Sequence, residues 1–395
     1  MNTSKESGTR LHYLDWLRVL ALLGVFVFHT VRPFDFIDFH INNAELSLSA
    51  TYFIVFIYPW GMPLFFMISG ASTFFALKRR SIRQYSVERV QRLLIPFIIG
   101  SILLTPIQAY YEMIHKRMYS GTFLNFLSGG TILEFYFSRL RTGFNPRIFG
   151  AVGYHLWFLG FLFSFSLFAT PIFRWLNGEN GSRLVEILVR LVSRRGGIFL
   201  WVVPLALTQI AINPFFPDQQ DWAFFLYYFL FFVYGYMLFL DQRFLRALKK
   251  DWWLILVLSL ISSVLILSSV SASFIDPVLA PLSMVDLLIK WGVFSINSWF
   301  WIISLLLFGM RYLDFDNNLL KYGKQAIMPF FLIHHPVIIF LAFYVVQWDT
   351  SMVIKLLSVI GGSFIITSGI FELLVKRINI LGNLLGVKHT RANSI

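Results

Sequence analysis

The chain has 395 residues, of which 57% are hydrophobic and 13% charged, with 45 Phe and 12 Trp. A soluble domain carries about 25% charged residues, so this chain lacks the polar surface water requires, and its apolar side chains face lipid or one another. Cysteine is absent, which excludes disulfides, thiolate metal sites and thiol nucleophiles, and the formal charge of +13 has to be located before it is interpreted.

The first twelve residues are polar and lack a cleavage pattern, and the apolar run from Leu14 is too long for a signal-peptide core. It reads as a first membrane span. A spanning helix needs about 20 mostly apolar residues, and such runs occur at Leu14–Val31, Tyr52–Leu77, Leu93–Tyr111 and Tyr154–Phe173. A shorter run, Ile198–Ile212, stops at Asn213-Pro214. The series continues with Trp222–Leu240, Trp252–Ala272, Met284–Phe308, Ile327–Val346 and Met352–Val375. Counting the short run gives ten spans. With the N-terminus inside, 24 of the 33 Lys and Arg fall in the tails and alternate loops on the inner side, 6 fall in outside loops and 3 within spans. That is a strong positive-inside asymmetry, and it explains the basic charge without nucleic acid. The expected fold class is an all-α polytopic bundle of about ten transmembrane helices. It forms one membrane-embedded unit over residues 1–395, with cytoplasmic tails at 1–13 and 377–395. The long outside segment 113–150, with apolar patches on either side of Gly129-Gly130, is expected to fold back where protein covers its backbone.

Ionisable side chains at membrane depth cost a few kcal/mol on insertion scales, so each is a functional candidate. In the first span Arg18 and His29 are eleven residues apart, three turns plus roughly 20°, and share a face. Arg18 alone could snorkel to headgroups and His29 alone could bridge two helices; together they suggest a polar track. In the second span Ser69, Gly70 and Ala71 permit close helix packing. The basic loop Lys78–Arg92 carries six Lys and Arg, more than topology needs. The excess suits an anionic ligand, since Arg forks phosphate bidentately, and anionic lipid headgroups fit it equally well. His155 opens the fourth span within Tyr154-His155-Leu156-Trp157, where a belt of interfacial aromatics explains the Tyr and Trp but not the His. His334-His335-Pro336 interrupts the ninth span, where the proline frees backbone carbonyls.

Taken together these segments resemble the acyltransferase-3 family of multi-pass membrane proteins. The pieces that carry the resemblance are Leu14-Asp15-Trp16-Leu17-Arg18 with His29, then Phe65-Phe66 with Ser69-Gly70, then Arg89 and Arg92 followed by Leu93-Leu94-Ile95-Pro96. They are joined by His155-Leu156-Trp157-Phe158-Leu159 and by Phe330 to Val337. The branch containing periplasmic-glucan succinyltransferases looks most similar. Val19 stands where Gly is common, and His335 where Gln is expected. The resemblance implies transfer of an acetyl or succinyl group from cytoplasmic acyl-CoA to a hydroxyl of an extracytoplasmic glycan or lipid-linked sugar, in a bacterial cytoplasmic membrane. Acyl-CoA would be a substrate, with no permanently bound cofactor and no metal. On this reading Arg79, Arg80, Arg83, Arg89, Arg92 and Ser69 hold the donor and His29 is the general base. Arg18 binds donor phosphate or pairs with Asp15, and His155 or His334 orients the base or stabilises the oxyanion. A transporter or flippase for a glycan or related anionic solute would use the same polar residues as a permeation route, and inverted repeats would mark it; none is visible.

Overall fold

The computed structural model describes residues 11–140, 145–275 and 284–386, so residues 1–10 of the first predicted tail and 387–395 of the second lie outside the described residues. Among the described residues the chain is all helical, without strands. In chain order the helices are α1 (His12–Val31), α2 (Leu48–Leu77), α3 (Ile82–Arg89), α4 (Ile95–Leu103), α5 (Thr105–His115), α6 (Phe123–Ser128), α7 (Thr131–Leu140) and α8 (Ile148–Gly153). They continue as α9 (Trp157–Leu176), α10 (Glu179–Val192), α11 (Val202–Ile212), α12 (Trp222–Leu240), α13 (Gln242–Lys250), α14 (Trp252–Ile275), α15 (Met284–Tyr312), α16 (Asn318–Val345), α17 (Met352–Ile370) and α18 (Asn379–Leu384).

Among the described residues eight helical stretches are long and apolar enough to cross a bilayer, and α3 to α5 make a ninth if that bent run counts as one span. The chain is therefore a multi-pass membrane protein. Two of the ten predicted spans differ from a straight rod. The run predicted at Leu93–Tyr111 bends by 41° at Leu104, because Pro106 withholds an N–H from the preceding turn. The segment predicted at Ile198–Ile212 forms an apolar helix over Phe199–Ile212, about 21 Å long at 1.5 Å per residue. That falls short of a hydrocarbon core of about 30 Å. Trp201 at its start stacks on Trp299 of α15, ring centroids 5.4 Å apart and nearly parallel.

The tightest crossing joins α2 and α12. A Cβ added to Gly70 would overlap the carbonyl oxygen of Phe232, and one added to Gly235 would overlap that of Met67. Each backbone thus fills the space the other's glycine leaves open, and the helices approach as closely as small residues permit. Around this crossing the phenylalanines form an aromatic seam. Phe66 stacks on Tyr228 at 5.0 Å, Phe66 meets Phe158 and Phe165, and Phe173 stacks on Tyr236 at 3.7 Å. Such rings add packing energy of about 0.5–1.5 kcal/mol per pair beyond area burial.

The predicted patches on either side of Gly129-Gly130 become α6 and α7, joined by Gly130 in the left-handed region at φ +81°. They fold against α5 and the start of α9, where Ala109, Phe126, Ile132, Phe135 and Tyr154 form a small core separate from the main one. The Tyr136 hydroxyl donates to the Ser101 carbonyl at 2.5 Å and fastens this cap to α4.

Candidate active site

Five of the chain's eight histidines converge at one end of the bundle. The last turn of α1 supplies His29, the loop after it His40, the turn before α9 His155, and the middle of α16 both His334 and His335. His335 is the hub. Its ring meets that of His29 edge-on at 4.5 Å between centroids, stacks on His155 at 4.7 Å and lies 5.5 Å from His40. His334 sits 5.6 Å from His29 and 5.4 Å from His155.

The backbone of α16 sets the tautomers. Pro336 has no N–H to give the Leu332 carbonyl one turn back. His155 Nε2 lies 3.2 Å from that oxygen and 3.2 Å from the Phe331 oxygen, and donates there. His334 donates through Nδ1 to the carbonyls of Phe331 at 2.7 Å and Phe330 at 3.0 Å. A neutral ring with Nδ1 protonated carries a lone pair on Nε2, and His334 Nε2 is buried with no partner. His335 donates through Nδ1 to the side-chain oxygen of Gln108 at 2.6 Å. Neither ring nitrogen of His29 has a hydrogen-bond partner among the described residues, and its Nδ1 is buried. Together with His155, Tyr58, Trp157, Gln219 and Phe331, His29 lines a cavity of about 70 Å³. A water in the liquid takes about 30 Å³, so side chains must give way before an acyl group reaches His29.

Gln108 reaches the hub because of the bend at Leu104, and it is fully buried. Replacing it with Leu leaves the His335 donor unpaired, an expected cost of about 1–3 kcal/mol. A lowered unfolding temperature in detergent, together with reduced transfer, is the measurement that checks it.

Above the hub the mouth is held by short, specific contacts. Tyr154 adopts φ +51°, a conformation that is strained for a bulky side chain, and this turns its hydroxyl onto Glu112 at 2.6 Å. The same carboxylate oxygen lies 3.0 Å from His40 Nδ1. Lys116 bridges Glu112 at 3.4 Å and Asp38 at 3.1 Å. Burial works to lower the Lys116 ammonium, but the two carboxylates outweigh it and raise its pKa above the ordinary value. The loop is pinned by Arg32 on Asp35 at 2.6 Å, by the Asn42 N–H donating to His115 at 3.1 Å, and by Lys355 on Asn43 at 3.2 Å. Burial raises the Asp35 carboxyl pKa above its ordinary range, with Arg32 opposing.

Among the predicted site residues, His29, His155 and His334 are brought together. Arg18 is not among them, lying about 16 Å along α1 from His29. It binds the Ser72 hydroxyl, the Ile68 carbonyl at 3.5 Å and Asp15 at 3.5 Å. Both Arg18 and His29 sit against α2, as the shared face predicts, but buried Leu22 and Val25 fill the stretch between them. The expected continuous polar track is therefore two separate clusters. The hydroxyl against Arg18 is that of Ser72, three residues beyond Ser69.

The predicted arginines gather at the opposite end but do not act alike. A cavity of about 200 Å³ is lined by Lys78, Arg80 and Arg174 with Asn177 and Tyr236. Of the five predicted arginines, Arg80 alone lines it. Arg80 also pairs with Glu88 at 3.1 Å, and Arg89 lies over the ring of Tyr85 at 4.6 Å. Arg92 is half-buried, while Arg79 and Arg83 are exposed. Between Arg89 and Pro96 the helix widens into a π-turn over Val90–Leu94, with the Ile95 N–H reaching back to the Val90 carbonyl. The wide turn accommodates the proline ring, and such turns recur at functional sites. Among the described residues no three His, Asp or Glu side chains form a metal-binding group.

A family model described as an acyltransferase domain matches residues 11–372, and the chain belongs to that family. It is 25% identical over 373 residues to the glucans biosynthesis protein C of Escherichia coli O81 (strain ED1a), covering 87% of this chain and 86% of that protein. The glucans biosynthesis protein C of Escherichia coli K12 is 26% identical over the same span and coverage. No solved structure matches.

Proposed function

We propose that this acyltransferase moves an acetyl or succinyl group from acyl-CoA to a hydroxyl of a glycan or lipid-linked sugar across the membrane. The basic end faces the cytoplasm of a bacterium and the histidine end faces outward. The positive-inside distribution of Lys and Arg supports this orientation. The observation that carries the reading is His29, a half-buried imidazole with no hydrogen-bond partner among the described residues, lining a cavity inside a ring of oriented histidines.

The donor's phosphates dock at the basic end on Arg80, with Lys78 and Arg174 beside it and Arg89 and Arg92 adjacent. The thioester reaches inward along α1, past Arg18. His29 removes the proton from the acceptor hydroxyl, and the oxygen attacks the thioester carbonyl. The C–S bond breaks, the ester forms, and the proton passes from His29 to the departing thiolate. His155 and His334 spend one ring nitrogen each on backbone carbonyls, which suits them to hold the hub in place. Acyl-CoA is a substrate in this scheme, with lipid and glycan as the other partners.

The test is release of free thiol from acetyl-CoA and succinyl-CoA by the protein in proteoliposomes. Thiol release is expected, and Arg80→Ala is expected to raise the donor KM about tenfold or more, since a charged hydrogen bond contributes about 1.5–3 kcal/mol. No binding and no consumption of either thioester would overturn the reading, and solute flux through the same vesicles would replace it with transport.

A further inference from the structure

The mouth above the hub contains an arrangement with no role in the scheme so far. Glu112 lies between two groups that can both donate to one of its oxygens, the Tyr154 hydroxyl at 2.6 Å and His40 Nδ1 at 3.0 Å. A carboxylate that receives Nδ1–H fixes the imidazole tautomer, and a neutral His40 then presents a lone pair at Nε2. Nε2 makes no hydrogen bond among the described residues, and the side chain is 26% exposed, whereas His155, His334 and His335 are enclosed. His40 is also no loose loop residue. Its ring rests on Phe39 at 4.7 Å and Tyr154 at 4.9 Å, and the loop around it is tied down at Asp35, Asn42 and Asn43.

The cost of this geometry argues that it serves a purpose. Tyr154 departs from allowed backbone space immediately before His155, and a non-glycine residue at positive φ costs about 1–3 kcal/mol. The strain delivers two side chains at once, the hydroxyl to Glu112 and the imidazole of the next residue to Leu332. His40 is one ring removed from His29, through His335. It is the histidine that a molecule arriving at the mouth would meet first.

We infer that His40, held by Glu112 and Tyr154, is the acceptor-binding group of the mouth, accepting a hydrogen bond through Nε2 from a sugar hydroxyl and guiding a hydroxyl toward His29. This rests on the acyltransferase reading and adds the acceptor's docking point. Glu112 and Tyr154 are positioning residues that act through His40. The site selects a hydroxylated, donor-rich molecule, because the free atom it offers is an acceptor.

The experiment measures donor and acceptor KM separately in proteoliposomes, with acetyl-CoA or succinyl-CoA as donor and methyl β-glucoside or a β-glucan oligosaccharide as acceptor. His40→Gln is expected to raise the acceptor KM about tenfold and leave the donor KM within twofold. Glu112→Gln, which keeps the shape of the anchor, is expected to move the acceptor KM in the same direction by less. Added imidazole should restore part of the activity of His40→Ala, because the position is open to solvent. Equal changes in the two KM values, or an unchanged acceptor KM in a folded variant, would overturn the assignment. Wild-type protein that consumes no thioester would instead overturn the acyltransferase scheme beneath it, so the two failures are distinguishable.

Discussion

His29→Ala is expected to reduce acyl transfer about 1,000-fold, within the range of about 10² to 10⁴ that removal of a positioned acid–base group costs. The reason lies in what His29 does not do. A structural histidine in a membrane interior spends at least one nitrogen on a neighbour, as His155 does on Leu332 and His334 does on Phe331. His29 has no partner to lose, so its removal leaves no orphaned donor or carbonyl. The variant is expected to insert, purify and unfold much as the wild type does, within the cost of a slightly larger cavity. His155→Ala provides the contrast, because it leaves the Leu332 carbonyl unpaired beside Pro336 and is expected to lose about 1–3 kcal/mol of stability as well as activity. The measurement is thiol release in inside-out vesicles, normalised to folded protein by size-exclusion chromatography. A His29→Ala rate equal to wild type would remove His29 from the chemistry.

The second large effect is structural. Gly235→Val and Gly70→Val each drive a branched side chain into the carbonyl oxygen of the opposing helix. Neither carbonyl can move without breaking its own helix, so the cost is expected to reach or exceed about 3 kcal/mol, the upper end for overpacked cores. Loss of monodisperse protein in detergent, or a large drop in unfolding temperature, is the expected result. Gly24 on α1 is the control. A Cβ there meets nothing within 4 Å, and Gly24→Ala is expected to be neutral or to stabilise by up to about 1 kcal/mol. Similar behaviour of Gly24→Ala and Gly235→Val would show that the α2–α12 crossing is looser than described.

The spans were legible because a bilayer demands long apolar runs, and a run of that length has no other use in a compact chain. His29, His155 and His334 were legible for the converse reason, since a polar group at membrane depth stands out against Leu and Phe. Gln108 and Glu112 carried no such contrast. They sit at the end of a run that reads as one straight span, and only the 41° bend at Leu104 carries them inward. His40 reads as an ordinary loop residue, and its position follows from several contacts that are distant in sequence. His335 was visible as a departure from an expected Gln, yet its central place depends on the stacking with His155. At the basic end composition showed the excess of charge, but not that Lys78 and Arg174 would line the cavity with Arg80 while Arg79 and Arg83 turned outward.

The cap built from α6 and α7 carries its own small core, and one residue of that core is Tyr154. The ring that seals the cap is thus on the same side chain whose hydroxyl steadies Glu112, two residues' reach from the hub. Lifting the cap as a unit would leave the main bundle packed but draw Tyr154 away from Glu112. A shift of the cap would therefore reach Glu112, and with it His40, through the one side chain of Tyr154.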